Sequence, residues 1–262
     1  MRVADRIWET LSVTVDAGIA TIAFARPDKF NAMNLAMRDE LFECFDAIAR
    51  DQSIRCVILT GQGKAFSAGG DINDFRNSPG TLHNMMGRLT HRWVRALWNL
   101  PQPVVAAVNG VAAGGGASIA LLCDIVVASE EASFVHTFMN VGLVPDLGGM
   151  FVLPRLVGLQ KAKELAFLGE KLSAREAFDC GLVNRVVPAP ELMEHVSGMA
   201  ARLAGLPSSA VTMAKRTFNR SFESAMDAVL DAEWMAQSYL FGTEESQAGV
   251  SGFLSKSGAA DR

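Results

Sequence analysis

The chain has 262 residues, of which 50% are hydrophobic and 20% charged, and its formal net charge is −4. This is the composition of an ordinary soluble globular protein, long enough to bury a core without disulfides or a structural metal. The cysteines lie far apart without a C-x-x-C pair and the histidines are equally scattered, so we predict no metal site. A slightly acidic chain without a cluster of Lys and Arg also argues against a nucleic-acid partner.

Two segments bear on targeting. Residues 1–9 carry charges throughout, which predicts that they are not a signal peptide. Residues 104–123 are uncharged and long enough to cross a bilayer, but the run Gly114-Gly115-Gly116 would expose unsatisfied backbone to lipid. A buried strand, a loop and a helix start explain this segment better. We therefore expect no membrane partner and a cytoplasmic location.

The first half of the chain alternates predicted strands with predicted helices. Residues 11–16 and 19–24 alternate around Ala17-Gly18, which indicates a β-hairpin. Short apolar runs at residues 56–60, 104–108 and 125–128 are typical of buried strands. Since helix-compatible sequence separates these runs, we predict crossover connections and an α/β core.

One predicted helix follows the hairpin, with Asn34 as its cap. The prediction rests on a set of residues that recur at helical spacing. These residues are Leu35, Arg38, Leu41, Phe42, Phe45 and Ile48.

After about residue 145 the pattern becomes mainly helical, apart from a short predicted strand at 183–187. Ser173 and Glu176 have the spacing of a capping box, and residues 191–203, 208–220 and 222–240 predict a helical tail. That tail carries more apolar residues than a thin layer needs to bury. Packing against another subunit would explain the surplus, and so would a deep groove within the chain. The residues concerned include Met226, Leu230, Trp234 and Leu240.

Two glycine-containing turns are the candidate chemistry, because no phosphate-binding loop or G-x-S-x-G motif is complete. The first turn is residues 65–72, around Gly69-Gly70, and the second is residues 109–116, around Gly114-Gly115-Gly116. Small residues allow a ligand to approach the backbone, and N–H groups at a helix start carry partial positive charge. Two such donors converging on one carbonyl oxygen would form an oxyanion hole. Tight packing of the turns is the alternative explanation from the residues alone.

These turns carry a resemblance. Residues 64–72, together with residues 103–124, resemble the enoyl-CoA hydratase/isomerase (crotonase) superfamily, and the likeness extends nearly end to end. The resemblance implies a spiral of ββα units over residues 1–200, which would hold the active site, and a helical trimerisation region over residues 201–262. It also implies a homotrimer or a dimer of trimers that acts on an acyl-CoA thioester.

The resemblance also implies roles for individual residues. The N–H groups of Gly70 and Gly115 match the donors that hold the thioester oxygen. A second set matches positions that bind coenzyme A, the last of them from a neighbouring subunit in some members. This set is Lys29, Ala68, Asp71, Ile72 and Lys256.

The departures from the family pattern select the reaction. Hydratases of this family carry two glutamates over the double bond, and this chain has Ser118 and Phe138 at the matching positions, which become pocket residues. Neither side chain can act as a carboxylate base. Asp146 instead matches the catalytic acid of the family's double-bond isomerases, and residues 134–156 are similar to the subgroup that isomerises ring epoxides in phenylacetate degradation. From the residues alone, an aspartate after Pro145 is also a common turn or cap residue.

The sequence therefore predicts an acyl-CoA isomerase that shifts a β,γ double bond to the α,β position, or rearranges a ring-derived thioester. Asp146 would move the proton, and Gly70 and Gly115 would stabilise the enolate. No cofactor is expected, since coenzyme A is part of the substrate. Two alternatives remain open at this point. One is an enoyl-CoA hydratase of fatty-acid β-oxidation that uses non-standard groups, and the other is a binding protein of this fold without catalysis.

Overall fold

The computed structural model describes residues 3–77 and 90–256, with the backbone alone at residues 75–77 and 256. The chain divides into two compact units, Met1–Ala204 and Gly205–Arg262. Across the described residues, no helix is both long and apolar enough to cross a membrane.

The first unit contains two sheets. Their strands are β1 (Leu11–Asp16), β2 (Ile19–Phe24), β3 (Cys56–Gly61), β4 (Ala65–Ser67), β5 (Val104–Val108), β6 (Val111–Ala113), β7 (Ile125–Ser129), β8 (Ser133–Val135), β9 (Leu172–Ser173) and β10 (Arg185–Val187). The larger sheet has the order β1-β2-β3-β5-β7-β10, and every pair in it except β1–β2 is parallel. The smaller has the order β4-β6-β8-β9, in which β4, β6 and β8 run parallel.

Helices connect and cover these strands. In the first unit they are α1 (Leu35–Arg50), α2 (Ile72–Asn77), α3 (His91–Trp98), α4 (Gly115–Leu122), α5 (Gly149–Val157), α6 (Leu159–Leu168), α7 (Ala174–Asp179) and α8 (Leu192–Ala204). The predicted α/β class is therefore confirmed. The hairpin is also confirmed: Ala17 and Gly18 both have positive φ, at 46° and 78°, as the favoured two-residue hairpin turn requires.

The α1 helix begins where its cap predicts. Asn34 accepts a hydrogen bond from the Met37 N–H at 3.0 Å, and this satisfies one of the donors that a helix start leaves free. The capping box is present as well, since the Ser173 side chain accepts from the Glu176 N–H while Glu176 accepts from the Ser173 N–H.

Both faces of the larger sheet are buried, which is why its parallel strands are apolar at nearly every position. Val57, Leu59 and Ala106 face the main core, which α1, α3 and α4 also line. Ile58 and Val105 face the opposite side, where α8 covers them. Alternate residues of one strand thus enter two separate cores.

Four strands were not predicted, namely β4, β6, β8 and β9. Each has three residues or fewer, so it is too short to show a period of two. The turns predicted to follow β3 and β5 directly therefore each contain a further strand, and these strands build the smaller sheet.

The second unit consists of α9 (Ser208–Ser221), α10 (Met226–Leu240) and α11 (Glu244–Lys256). The prediction that the third tail helix starts at residue 222 is wrong, because Ala225 has extended backbone and α10 begins after it. An apolar groove of about 770 Å³ runs between α9 and α10, lined by Met213, Phe218, Leu230 and Trp234 among others. Trp234 is 68% exposed, so the surplus of apolar surface is real.

Candidate active site

In the first glycine turn, residues 68–71 follow the end of β4. The Met33 N–H donates to the Gly69 carbonyl at 2.7 Å, and the Asp71 N–H donates to the Met33 carbonyl at 3.0 Å. These two bonds hold the chain on both sides of Gly70. Gly69 has φ of +90°, a conformation that favours glycine because it has no Cβ.

In the second glycine turn, residues 114–116 follow the end of β6 and lead into α4. Gly114 has φ of +51°, its N–H donates to the Val135 carbonyl at 2.8 Å, and Gly115 is the first residue of the helix. The Gly115 N–H therefore points from the positive end of a helix that has no side-chain cap.

The two turns meet because β4 and β6 are parallel neighbours and end at the same edge of the smaller sheet. A β-carbon at Gly69 would lie 2.8 Å from the Ala113 carbonyl oxygen and 2.9 Å from the Gly115 nitrogen. A β-carbon at Gly116 would lie 2.1 Å from the Ser67 carbonyl oxygen. Only glycine fits at either position, so close contact between the turns is built into the fold.

Two backbone donors are free at this contact. Among the described residues, no hydrogen bond from the Gly70 N–H or the Gly115 N–H is found. Buried N–H groups are normally paired, and free donors beside a turn that excludes side chains can bind a ligand oxygen. The arrangement is therefore chemically able to hold a carbonyl oxygen that gains negative charge.

Asp146 borders the second turn. Its carboxylate Oδ1 lies 3.5 Å from the place that a β-carbon on Gly115 would occupy. The backbone after Asp146 turns sharply, with positive φ at Leu147 and Gly148, and the Gly149 N–H donates to the Asp146 carbonyl at 2.8 Å. This turn directs the carboxylate toward the glycine contact while the chain enters α5.

The Asp146 carboxyl group has an unusual environment. Among the described residues, its Oδ1 is buried without a hydrogen-bond partner. Burial raises the carboxyl pKa from 3.8 to about 6, while the charge of Arg38 opposes the rise. A carboxyl group with this pKa exchanges protons readily near neutral pH.

The two predicted pocket residues border the same turn without supplying a carboxylate. Ser118 is fully buried on α4, and its Oγ would lie 2.6 Å from a β-carbon on Gly149. The Phe138 ring reaches the other side, with Cζ 3.8 Å from a β-carbon on Gly114. The structure thus brings Gly70, Gly115, Asp146, Ser118 and Phe138 to one place.

Asp71 has structural partners. Its Oδ2 forms an ion pair with Arg26 at 2.9 Å, and its Oδ1 accepts from the backbone and side chain of Asn73. Burial disfavours the charged form, but these hydrogen bonds outweigh it and hold the Asp71 pKa below its usual range. The carboxylate therefore fixes the first glycine turn to the loop that contains Arg26.

The other predicted coenzyme A residues lie at the protein surface, on or near that loop. Lys29, Ala68 and Ile72 are all exposed, and Ile72 has 72% of its surface accessible. The Ala68 N–H donates to the Phe30 carbonyl at 2.9 Å, which keeps Ala68 next to the loop that carries Lys29. The side chain of Lys256 lies outside the described residues.

Sequence reasoning gave no functional role to Arg38 or His136, which are both buried ionisable residues of this unit. Arg38 is 5% exposed on the inner face of α1, and its appearance among apolar residues at helical spacing was a usable signal. His136 is 2% exposed, and neither ring nitrogen has a hydrogen-bond partner among the described residues. Burial lowers the His136 pKa to about 4, so the ring is neutral. No sequence pattern marks it.

In this α/β unit two glycine turns meet at a helix start and a buried acid lies beside them, which is the arrangement of a site that stabilises negative charge on a carbonyl oxygen. The family model for enoyl-CoA hydratase/isomerase matches residues 14–260. The chain therefore belongs to the enoyl-CoA hydratase/isomerase family, the crotonase superfamily.

Similar proteins include one that is named an isomerase and others that are named hydratases. The chain is 39% identical over 246 residues to the 1,2-epoxyphenylacetyl-CoA isomerase of Escherichia coli, covering 92% of this chain and 94% of that one. It is 36% identical over 239 residues to a short-chain-enoyl-CoA hydratase of Clostridium acetobutylicum, with 91% and 92% covered. The crystal structure of an enoyl-CoA hydratase from Bacillus anthracis superposes with a TM-score of 0.91 at 33% identity, covering 95% of this chain and 97% of that one. The predicted crotonase-like fold is thus confirmed.

Proposed function

We propose that this protein is an acyl-CoA isomerase that converts a β,γ-unsaturated thioester into the conjugated α,β form, or rearranges a ring-derived thioester. Asp146 serves as acid and base, and the N–H groups of Gly70 and Gly115 serve as the oxyanion hole. The observation that carries the proposal is the Asp146 carboxylate, whose buried and unpartnered Oδ1 borders the Gly115 turn.

The reaction balances with these groups alone. Asp146 takes a proton from the carbon next to the thioester, and the electron pair moves onto the thioester oxygen to form a dienolate. The two N–H groups stabilise that negative charge; losing one such donor in other enzymes lowers the rate by about 10²- to 10³-fold. Asp146 then returns the proton to the far carbon of the former double bond. Nothing is oxidised or reduced, so coenzyme A enters only as part of the substrate.

The surroundings of Asp146 support isomerisation over hydration. Addition of water across a double bond by paired carboxylates needs acids at the positions of Ser118 and Phe138, and here these positions hold a buried hydroxyl and an aromatic ring. One carboxylate suffices to move a proton between two carbons of the same substrate. The isomerase name of the Escherichia coli relative agrees with this assignment.

Binding of coenzyme A is assigned to the exposed loop around Lys29, Ala68 and Ile72, with Asp71 holding that loop through Arg26. A few placed cations must meet the phosphates in a chain of net charge −4, and Lys29 and Lys256 are the proposed ones. The exposed apolar residues of α10 are the proposed contacts of a homotrimer or a dimer of trimers. The proposed location is the cytoplasm.

The deciding experiment offers purified protein two short-chain substrates, a β,γ-enoyl-CoA and its conjugated α,β isomer. We expect the first to gain the ultraviolet absorbance of a conjugated thioester and the second to resist hydration. Rapid hydration of the conjugated substrate without isomerisation of the other would overturn the proposal in favour of a hydratase. A parallel incubation of the saturated acyl-CoA in deuterated water tests for the enolate. Tight binding without exchange of the α-protons would instead identify a binding protein.

A further inference from the structure

Arg38 is a buried cation on the inner face of α1. It is 5% exposed, and its Nη1 donates to the hydroxyl oxygen of the fully buried Thr90 at 2.7 Å. A buried guanidinium keeps its charge and is stable only where negative charge lies nearby. The hydroxyl of Thr90 is neutral, so it fixes the direction of the side chain without balancing its charge.

The negative charge comes from two carboxylates, one of which is Asp146. Burial lowers the pKa of Arg38, and the charges of Asp146 and Asp74 act against that effect. Conversely, the positive charge of Arg38 acts to lower the pKa of the Asp146 carboxyl group. Asp74 belongs to α2 and accepts a hydrogen bond from the Leu35 N–H at 3.0 Å, so it lies at the first turn of α1.

Packing places the start of α1 beside the same glycine turn. A β-carbon on Gly115 would lie 3.2 Å from Met33 Cε and 3.5 Å from Asp146 Oδ1. Met33 directly precedes the cap of α1. Among the described residues, α4 contributes the neutral Ser118 and α5 begins with Gly149 next to this turn.

We propose that Arg38 is a positioning residue that supplies buried positive charge to the surroundings of the Asp146 carboxylate and is itself held in place by Thr90. The proposal rests on the proposed function only for its catalytic meaning, namely that Asp146 is the group that moves the proton. Without Arg38 the same burial would keep a larger fraction of Asp146 protonated near neutral pH, and the protonated carboxyl cannot act as a base.

The test uses neutral and charged variants of Arg38 and one control variant elsewhere on α1. Arg38→Met removes the charge and keeps a side chain of comparable length, with Arg38→Gln as a second neutral variant should the first not fold. Arg38→Lys retains the charge. Arg50→Met is the matched control, because Arg50 lies on the same helix and pairs with Asp46 at the exposed surface.

Two readouts are taken over the pH range. The first is kcat for isomerisation of the β,γ-enoyl-CoA. The second is the infrared band of the protonated carboxyl group of Asp146, assigned by its loss in Asp146→Asn, and it requires no activity. We expect the neutral variants to raise the Asp146 pKa by about one unit, which lowers kcat about fivefold at pH 6 and much less at about pH 8. Arg38→Lys should keep the Asp146 pKa close to its wild-type value, and Arg50→Met should match the wild type.

An unchanged Asp146 band in a folded neutral variant would overturn the inference, as would a loss of kcat by the same factor at every pH. A shifted band in a protein without isomerase activity would support the inference while overturning the proposed function. The two failures are therefore distinguishable.

Discussion

The glycine turns and the segment from His136 to Leu147 border one site and depend on different physical properties. The turns are defined by shape, since a β-carbon at Gly69 or Gly116 would collide with backbone atoms of the facing turn. The second segment is defined by charge and burial, since it holds the carboxyl of Asp146 with its raised pKa and the imidazole of His136 with its lowered pKa.

This difference indicates which side is free to vary. Backbone donors act on any thioester oxygen, and the packing that exposes them allows almost no substitution. Side chains of the other segment can change without rebuilding the sheet, so they can select the reaction. Substitutions on the two sides should consequently fail in different ways.

The largest effect on activity is expected in the segment that is defined by charge and burial. Asp146→Asn keeps the shape but removes the proton acceptor, so we expect kcat for isomerisation to fall by about 10²- to 10⁴-fold. The free energy of unfolding should not fall, because Oδ1 is buried without a partner among the described residues and burial of the charged carboxylate outweighs its attraction to Arg38. The measurement is a steady-state assay together with urea unfolding. Asp39→Asn, an exposed carboxylate on α1, is the control, and full isomerase activity in Asp146→Asn would remove Asp146 from the mechanism.

In the glycine turns, Gly116→Ala should lower the free energy of unfolding. The new β-carbon would lie 2.1 Å from the Ser67 carbonyl oxygen, so the turns must separate, at a cost of about 3 kcal/mol in the free energy of unfolding. Activity should fall with stability, since the same contact brings Gly70 and Gly115 together.

Gly198→Ala is the control for that substitution. Gly198 lies in α8 with nothing within 4 Å of a β-carbon, so alanine should raise stability by up to about 1 kcal/mol through its higher helix propensity. Chemical denaturation measures both variants. Equal denaturation midpoints for Gly116→Ala and the wild type would show that the turns do not require glycine.

A pH dependence of stability is expected from His136. The ring is neutral in the folded protein down to about pH 4 but takes up a proton below about pH 6.5 when unfolded. The unfolded state thus binds more protons between these values, and stability falls as the pH is lowered through them, by up to about 3 kcal/mol.

His136→Phe removes this contribution and should flatten that part of the stability curve relative to wild type. Urea unfolding at about pH 7.5 and about pH 5 measures the difference. His91→Phe, at an exposed position of α3, should keep the wild-type slope. An identical pH dependence in His136→Phe and wild type would mean that the buried ring does not resist protonation.

The smallest effect on stability is expected outside the candidate site. Ser173→Ala breaks the capping box of α7 and should lower the free energy of unfolding by about 1 kcal/mol while leaving kcat unchanged. A thermal melt and the isomerisation assay check it. A loss of kcat here would show that the site responds to general loss of stability, which would weaken the comparison between its two sides.

Sequence patterns predicted the elements that have a clear period or a clear start signal. The hairpin, α1 with Asn34 and the capping box at Ser173 depend on residues close together in the chain, so local rules describe them. The three-residue strands β4, β6 and β8 depend on pairing between distant segments, and no local pattern reports that pairing. Arg38 was visible only as a charge on an apolar helix face.

The sequence by itself determined the α/β class, the two glycine turns and the absence of carboxylates at Ser118 and Phe138, because these are properties of residue type and spacing. Only the tertiary structure decided that the turns touch, that Asp146 Oδ1 is buried beside Gly115, and that Arg38 acts on its charge. The physical reason is that contact and burial arise when β4 and β6 pair and α1 packs beside them. A pKa depends on those surroundings and is not carried by the residue alone.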